Sequence, residues 1–278
     1  MKLFNLKGKS LLLLALTLAI LLAARFGFSE RRRVQSLFSK AAERPATRMA
    51  GLPRVILWAW ERPERLDFIN PEEVGVAFLA KTLYLRGERV AVRPRLQPLE
   101  VPQGTKLIAV ARLEADRLDQ PRLTEAQITR AASEIAELAQ LPRVLAVQVD
   151  FDARQTERDF YRRLLVELRG RLPDRVALSM TALASWCISD DWIKSLPVDE
   201  AVPMLFRMGI DRRQILSHLE AGNGFGPALC RSGSGISTDE TVKHLPSSPR
   251  LYVFNPEAWS RASVSKIILR YKNENEDF

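Results

Sequence analysis

The sequence contains few of the residues on which metal and covalent chemistry depend. It has only two histidines among 278 residues. Neither His218 nor His244 lies in a metal-ligand motif, so a zinc enzyme is not expected. No G-x-S-x-G segment is present, so the sequence lacks the signature of acyl transfer by a serine nucleophile. The glycine-containing segments 222–226 and 233–235 lack the spacing of a phosphate-binding loop or a dinucleotide fingerprint. The sequence therefore predicts no metal and no cofactor.

A strong basic surplus is also missing from most of the chain, although the formal net charge is +9. Residues 1–33 hold seven Lys or Arg and one acid, so they contribute +6 and leave only +3 for residues 34–278. A nearly balanced domain without a recognised nucleic-acid motif is not expected to bind nucleic acid.

One long apolar run occurs near the start of the chain, from Leu11 to Ala24, with basic residues on both sides. Its length is typical of a signal peptide. The cleavage site is poor, however, because an arginine follows the best pair of small residues, Leu22 and Ala24. We predict an uncleaved anchor that contacts the membrane through residues 11–24, with a cleaved signal peptide as the alternative. The first case gives a protein anchored in the inner membrane and facing the periplasm, and the second a periplasmic or secreted protein.

The remaining chain is expected to form one domain. Residues 1–33 are the predicted signal or anchor, residues 34–52 mix small, polar and charged side chains as a linker does, and residues 53–278 show no second linker-like break. The two cysteines, Cys187 and Cys230, permit one disulfide in an exported protein. Two buried free thiols are the alternative.

Beta-rich runs alternate with helix-like segments along this domain. The predicted strands lie at 54–60, 74–85, 106–113, 143–150, 176–181, 201–206 and 251–254, with a hairpin returning through 90–95. A further strand within 228–237 is interrupted by Gly233 and Gly235. Helices are predicted at 125–140, 157–171, 190–196, 211–221 and 257–270, the last with Asn255 as its N-cap. The alternation predicts a single, somewhat irregular (β/α)8 TIM-like barrel, and an open doubly wound sheet is the alternative.

Two acids follow one another at the end of the strand that is predicted at 143–150. Because side chains alternate along a strand, Asp150 and Asp152 share one face, about 6–7 Å apart. At that distance they can act on one substrate or shift each other's protonation. Capping of the next helix is the structural alternative.

Other polar and aromatic side chains lie where predicted strands end, which is where barrel enzymes hold their sites. Trp60 and Trp186 are candidates for stacking on sugar rings, with core packing as the alternative. Arg207 is expected to bind an anionic substrate or to pair with Asp150, Asp152 or Glu200. The remaining candidates for substrate binding are Glu61, Glu114, Thr181 and Asn255.

Hydrolysis of a glycosidic bond usually needs two carboxyl groups, one to protonate the leaving oxygen and one to stabilise or attack the sugar cation. We predict Asp152, nearer the mouth, as the acid, with Asp150 tuning it by like-charge proximity. Glu200 or Glu114 is expected to face the pair from another strand.

Five segments of the sequence resemble a bacterial envelope-associated family described only as a domain of unknown function. They are PRVILWAWERPE at 53–64, QVDFDA at 148–153, LSMTALASWC at 178–187, LPVDEAVPMLFRMG at 196–209 and STDE at 237–240. The resemblance runs from residue 53 to about residue 260. It implies a family but no reaction.

A more distant resemblance is to the D-x-x-D-x-D-x-E signature on the fourth barrel strand of chitinase-type glycoside hydrolases. Asp150 and Asp152 match its last two aspartates, whereas Val147 replaces the first and Arg154 replaces the glutamate that acts as the acid. On the sixth strand Phe206 stands where that family has the tyrosine of M-x-Y. The resemblance implies a carbohydrate-type barrel without the chitinase proton donor.

Together these features predict a glycoside-hydrolase-like envelope protein that acts on a bacterial polysaccharide through strand-end carboxylates. Two alternatives stay open. The first is a carbohydrate-binding barrel without catalysis, and the second is a structural envelope protein whose mouth is closed by ion pairs. The sequence names no protein partner.

Overall fold

A computed structural model of the protein describes residues 48–276, with side chains described as far as residue 270. The predicted anchor and most of the predicted linker lie outside the described residues. Within the described part of the chain, no helix has both the length and the apolar character that crossing a membrane requires.

Eight parallel strands close into a barrel, because the first strand pairs with both the second and the last. The barrel strands are β1 (Val55–Ala59), β3 (Val74–Arg86), β6 (Leu107–Ala115), β7 (Val144–Asp150), β8 (Ala177–Leu183), β9 (Glu200–Met204), β10 (Ser234–Ser237) and β11 (Leu251–Phe254). Strand β4 (Arg89–Pro94) pairs antiparallel with β3 as the predicted hairpin, while β2 (Glu64–Arg65) and β5 (Leu99–Glu100) form a separate small sheet. The predicted (β/α)8 barrel is confirmed, and the open sheet is wrong.

In the described part of the chain, four α-helices accompany the strands: α1 (Glu125–Ala136), α2 (Arg158–Arg171), α3 (Arg212–Glu220) and α4 (Arg261–Glu276). The predicted capping box begins α1, since the Thr124 side chain accepts from the Gln127 backbone and the Gln127 side chain accepts in return. The helix predicted at 190–196 is wrong, because that segment forms only turns.

The start of the last helix also differs from the prediction. Helix α4 begins at Arg261, and the Ser260 hydroxyl oxygen accepts a hydrogen bond from the Ser263 backbone N–H at 3.2 Å. Asn255 is therefore not the N-cap. Its side chain instead accepts from the Thr238 hydroxyl at 2.5 Å and donates to the Ala258 carbonyl at 3.3 Å.

The glycines that interrupt the seventh barrel strand are explained by close packing inside the barrel. A Cβ atom at Gly235 would lie 2.9 Å from the Trp58 ring, and one at Gly233 would lie 2.9 Å from a Glu200 carboxylate oxygen. The strand Ser234–Ser237 forms nonetheless. Glycine is required at these two positions because the barrel interior has no room there for a side chain.

Alternating side chains divide the core into an outer layer beneath the helices and an inner layer within the barrel. Val147, Val149 and Phe151 belong to the outer layer, and Ala146 belongs to the inner one, as the alternation predicts. Residues 48–52, which the sequence analysis assigned to the linker, pack against the barrel. Met49 and Leu52 are buried in the inner layer, so the folded unit includes these residues.

Candidate functional site

The barrel opens at the carboxyl ends of its strands into a cavity of about 290 Å³. Three kinds of side chain surround it: acids, aromatic rings with aliphatic groups, and arginines. The lining residues are Trp58, Trp60, Arg112, Asp150, Asp152, Thr181, Leu183, Ala184, Ser185, Met204, Phe206, Arg207, Met208, Asp211, Ile215 and Phe254. This is the end at which (β/α)8 enzymes hold their active sites.

The two predicted acids both line this cavity. Asp150 is the last residue of β7, and its side chain is 13% exposed. It accepts a hydrogen bond from the Thr181 hydroxyl at 2.8 Å, because Thr181 lies beside it on β8. Asp152 lies two residues further along, at the exposed mouth. The structure therefore brings Asp150, Asp152 and Thr181 together, as the strand pattern predicts.

Both carboxyl groups hold their protons more tightly than free aspartic acid does. Burial, with a smaller contribution from the charge of Asp152, raises the pKa of Asp150 to about 6. The Thr181 hydrogen bond and the Arg112 charge oppose this rise. The pKa of Asp152 is also raised, because the surrounding protein desolvates it, and Arg112 again opposes the change. Groups shifted in this way can carry protons near neutral pH, which is a requirement for acid catalysis.

Arg112 connects the acid wall with a neighbouring groove. Its Nε atom lies 3.0 Å from a Glu114 oxygen and 3.9 Å from an Asp150 oxygen, and its guanidinium lies 5.8 Å from the Trp60 ring centre. Glu114 lines the groove and not the cavity. It pairs with Arg112, shares the groove with Asp150 and Asp152, and contributes to the raised pKa of Asp150. Because Glu114 is on the strand next to the acid pair, it lies beside the pair, and the prediction of an opposed carboxylate is wrong.

Aromatic rings form the apolar part of the cavity. Phe206 and Phe254 stack with their ring centres 5.6 Å apart, and Trp60 meets Phe254 edge-on at 6.3 Å. These three rings are partly exposed, whereas Trp58 beneath them is buried. Partly exposed ring faces beside paired acids can bind the C–H faces of a sugar.

Arg207 lies on the rim, as predicted, but its partners differ. Its guanidinium binds Asp239 at 2.7 Å and also Glu240, and these hydrogen bonds raise its pKa. Neither acid is among the predicted site residues, although both belong to the segment STDE at 237–240. The prediction that Arg207 pairs with Asp150, Asp152 or Glu200 is therefore wrong.

One carboxylate of the cavity, Asp211, is not among the predicted site residues. Asp211 follows β9 by seven residues and directly precedes α3, so it lies too far from a strand end for a search of strand ends to find it. The available signal was Gly209, whose φ of +61° marks the turn that brings the chain back over the mouth. Asp211 is half-buried and has no ion-pair partner among the residues that the structure describes.

Glu200 lies elsewhere than predicted. It is the first residue of β9, four residues before the cavity residue Met204, and is therefore about 13 Å below it along the strand. Its side chain is fully buried and binds Arg250 at 2.7 Å and the Tyr252 hydroxyl at 2.6 Å. The prediction that Glu200 faces the acid pair is wrong, since the strand begins rather than ends there.

Three predicted substrate-binding residues also have structural roles instead. Trp186 is 3% exposed and packs edge-on against Trp192 at 5.0 Å, so stacking on a sugar is wrong and core packing is right. Glu61 binds Arg93 in a groove beside the β3–β4 hairpin, outside the cavity. Asn255 is buried and joins two loops through the hydrogen bonds described above.

The two cysteines form a disulfide with their Cα atoms 5.9 Å apart. Cys187 lies just after β8 and Cys230 just before β10, so the bond ties together two loops behind the cavity. Both residues are fully buried.

The position that the chitinase-type signature gives to an acid holds an exposed arginine here. Arg154 lines the neighbouring groove together with Glu114 and Glu157, and its backbone N–H donates to a Glu157 carboxylate oxygen at 2.7 Å. It does not line the main cavity. Across residues 48–276, no group of three or more His, Cys, Asp or Glu side chains is placed to hold a metal ion.

No protein-family model matches the chain, and no curated protein sequence matches it. Among solved structures, the chain is similar to the chitinase domain of the spore coat protein CotE from Clostridium difficile, with 11% identity and a TM-score of 0.35 over 58% of this chain and 52% of that one. It is also similar to the Bacillus cereus spore cortex-lytic enzyme SleL, with 16% identity and a TM-score of 0.42 over 80% of this chain and 59% of that one. The chain thus spans between half and three fifths of the length of these two proteins.

Proposed function

We propose that the protein is a glycoside hydrolase that binds a bacterial polysaccharide in the barrel mouth and cleaves it with the Asp150/Asp152 pair. One observation carries the proposal: an open cavity has two coupled, proton-retaining carboxyl groups on one wall and partly exposed aromatic faces on the other. The reaction needs such acids, and the sugar rings need such faces.

The two carboxyl groups have different roles because they lie at different depths in the cavity. Asp152 is the proton donor, because its carboxyl group is exposed at the mouth where a glycosidic oxygen can reach it. Asp150, held by Thr181 one layer deeper, is ionised above about pH 6. Once ionised, Asp150 stabilises the positive charge that develops on the sugar ring, while desolvation of Asp152 favours its protonated form.

Product release measured by mass spectrometry tests this proposal. The purified full-length protein is incubated with a panel of bacterial envelope and extracellular polysaccharides, beside the Asp150→Asn/Asp152→Asn double variant. Asp67→Asn, which removes an exposed acid outside the cavity, is the matched control. We expect oligosaccharides from the wild type and the control and none from the double variant. Equal release from all three proteins would refute the assignment to this pair.

A second candidate is a carbohydrate-binding barrel without catalysis. The observation in its favour is Arg154, which stands where the similar family has its acid and lies outside the cavity. Retained binding without any product, in the wild type and the double variant alike, would favour this candidate.

The third interpretation, a structural envelope protein with a closed mouth, has less support. Arg112 and Arg207 pair with acids outside the cavity, and the cavity stays open between them. The proposed location is the periplasmic face of the inner membrane, or the periplasm after cleavage, and it rests on the apolar run at residues 11–24.

A further inference from the structure

The two arginines of the cavity are already neutralised by acids outside it. Arg112 binds Glu114 at 3.0 Å, and Arg207 binds Asp239 at 2.7 Å and also Glu240. None of these three acids lines the cavity. An anionic ligand would have to compete with them, so the cavity is poorly suited to a uronic acid or a phosphate.

The acids of the cavity are not neutralised in the same way. Neither Asp152 nor Asp211 has an ion-pair partner within the part of the chain that the structure describes, and Asp150 has only the 3.9 Å approach of Arg112. Asp211 is half-buried beside the apolar side chain of Ile215. An unpaired carboxylate in such surroundings gains more from a cationic partner than one in open water does.

The form of the site points to an organic cation. The three acids of the cavity do not converge into a group that could hold a metal ion, as the described residues show. The same cavity is lined by the partly exposed faces of Trp60, Phe206 and Phe254, which attract both apolar C–H groups and positive charge. A ring with an apolar face and a separate ammonium group fits both features.

We propose that the cavity selects a sugar unit that carries a free, protonated amino group, and that Asp211 is the side chain that binds this ammonium. The inference rests on the proposed function, since it names the class of glycan that occupies the same cavity. An N-acetylated unit would leave Asp211 without a partner when the ligand displaces water, and that loss disfavours its binding. A uronic acid would bring its own carboxylate close to the carboxylates of the cavity, and repulsion between the like charges would disfavour its binding.

Binding of four matched tetrasaccharides tests the inference by calorimetry with the full-length protein. They are a tetramer of glucosamine, its fully N-acetylated form, a neutral glucose tetramer and a uronic-acid tetramer, at a mildly acidic pH that protonates the amine. The catalytic Asp152→Asn variant serves as background, so that no ligand is cleaved. We expect the glucosamine tetramer to bind about tenfold more tightly than its N-acetylated form, as a charge-assisted hydrogen bond provides.

In this background Asp211→Asn should abolish the preference, because it weakens binding of the glucosamine tetramer and relieves the penalty that an unpartnered carboxylate imposes on the N-acetylated one. Asp67→Asn should retain the preference. Equal binding of the two forms, or a preference that survives Asp211→Asn, would overturn the inference and leave the proposed function standing. Failure of all four tetrasaccharides to bind would count against glycan binding itself, and therefore against both.

Discussion

The raised pKa of Asp150 predicts that the acid wall lowers the stability of the protein at neutral pH. The pKa lies at about 6, against an ordinary value of 3.8. An acid whose pKa is raised in the folded state favours folding when it is protonated, so stability falls as the pH rises between these two values. Each unit of pKa difference corresponds to about 1.4 kcal/mol. Ionisation of Asp150 therefore lowers the free energy of unfolding by about 3 kcal/mol above pH 6.

Replacing Asp150 by asparagine removes this effect while keeping the shape and the oxygen that accepts from Thr181. We expect Asp150→Asn to be more stable than the wild type by about 3 kcal/mol near pH 8, with the difference shrinking to nothing below about pH 4. Urea unfolding at a series of pH values, with the disulfide intact, measures both curves.

The exposed variant Asp67→Asn is the control for loss of one negative charge, and its difference from the wild type should stay small at every pH. The reasoning would be refuted by parallel curves for the wild type and Asp150→Asn, or by an asparagine variant that is the less stable protein near pH 8. Either result would mean that Asp150 is solvated in the folded state and is no better a proton carrier than a surface aspartate.

Three other results are expected. Arg250→Met leaves the buried carboxylate of Glu200 without its ion-pair partner and should lower the free energy of unfolding by about 3–5 kcal/mol in urea titrations. Replacing Cys187 and Cys230 by alanine removes a link across 43 residues and should lower it by about 4 kcal/mol, which calorimetry under non-reducing conditions can detect. Trp60→Ala removes a partly exposed ring and should weaken glycan binding about tenfold with little change in melting temperature, whereas a large drop in melting temperature would show a core role.

The sequence was informative wherever a local rule determines the outcome. Alternation along 144–150 predicted which face carries Asp150 and which enters the outer core, because strand geometry permits no other choice. The capping box at Thr124 predicted the start of α1, because its two side chains bind backbone N–H groups that have no partner within the helix. The alternation of strands and helices predicted parallel strands, since these need crossover connections, and the polar residues at the strand ends favoured the barrel over the open sheet.

Errors arose where position along the barrel axis decides the role. Glu200 is a polar residue beside a strand, but it stands where the strand begins, and only the pairing of Ser179 with Glu200 reveals its depth. Trp186 follows a strand as a binding residue would, yet a short helical turn directs it into the core. Asp211 was missed because its place in the cavity depends on how a loop folds back, which no spacing rule encodes.

Glu200, the acid buried at the closed end of the barrel, is connected to the floor of the cavity by a chain of hydrogen bonds. The Trp58 N–H donates to Gln148 at 2.9 Å, the Gln148 amide donates to Ser179 at 3.0 Å, and the Ser179 hydroxyl donates to Glu200 at 3.3 Å. Every donor in this chain points toward Glu200, so the carboxylate determines the direction of each bond. The last donor is the indole that lies beneath the partly exposed rings. The floor of the cavity is therefore connected to a carboxylate at the closed end of the barrel, and none of the acids at the open end takes part in this chain.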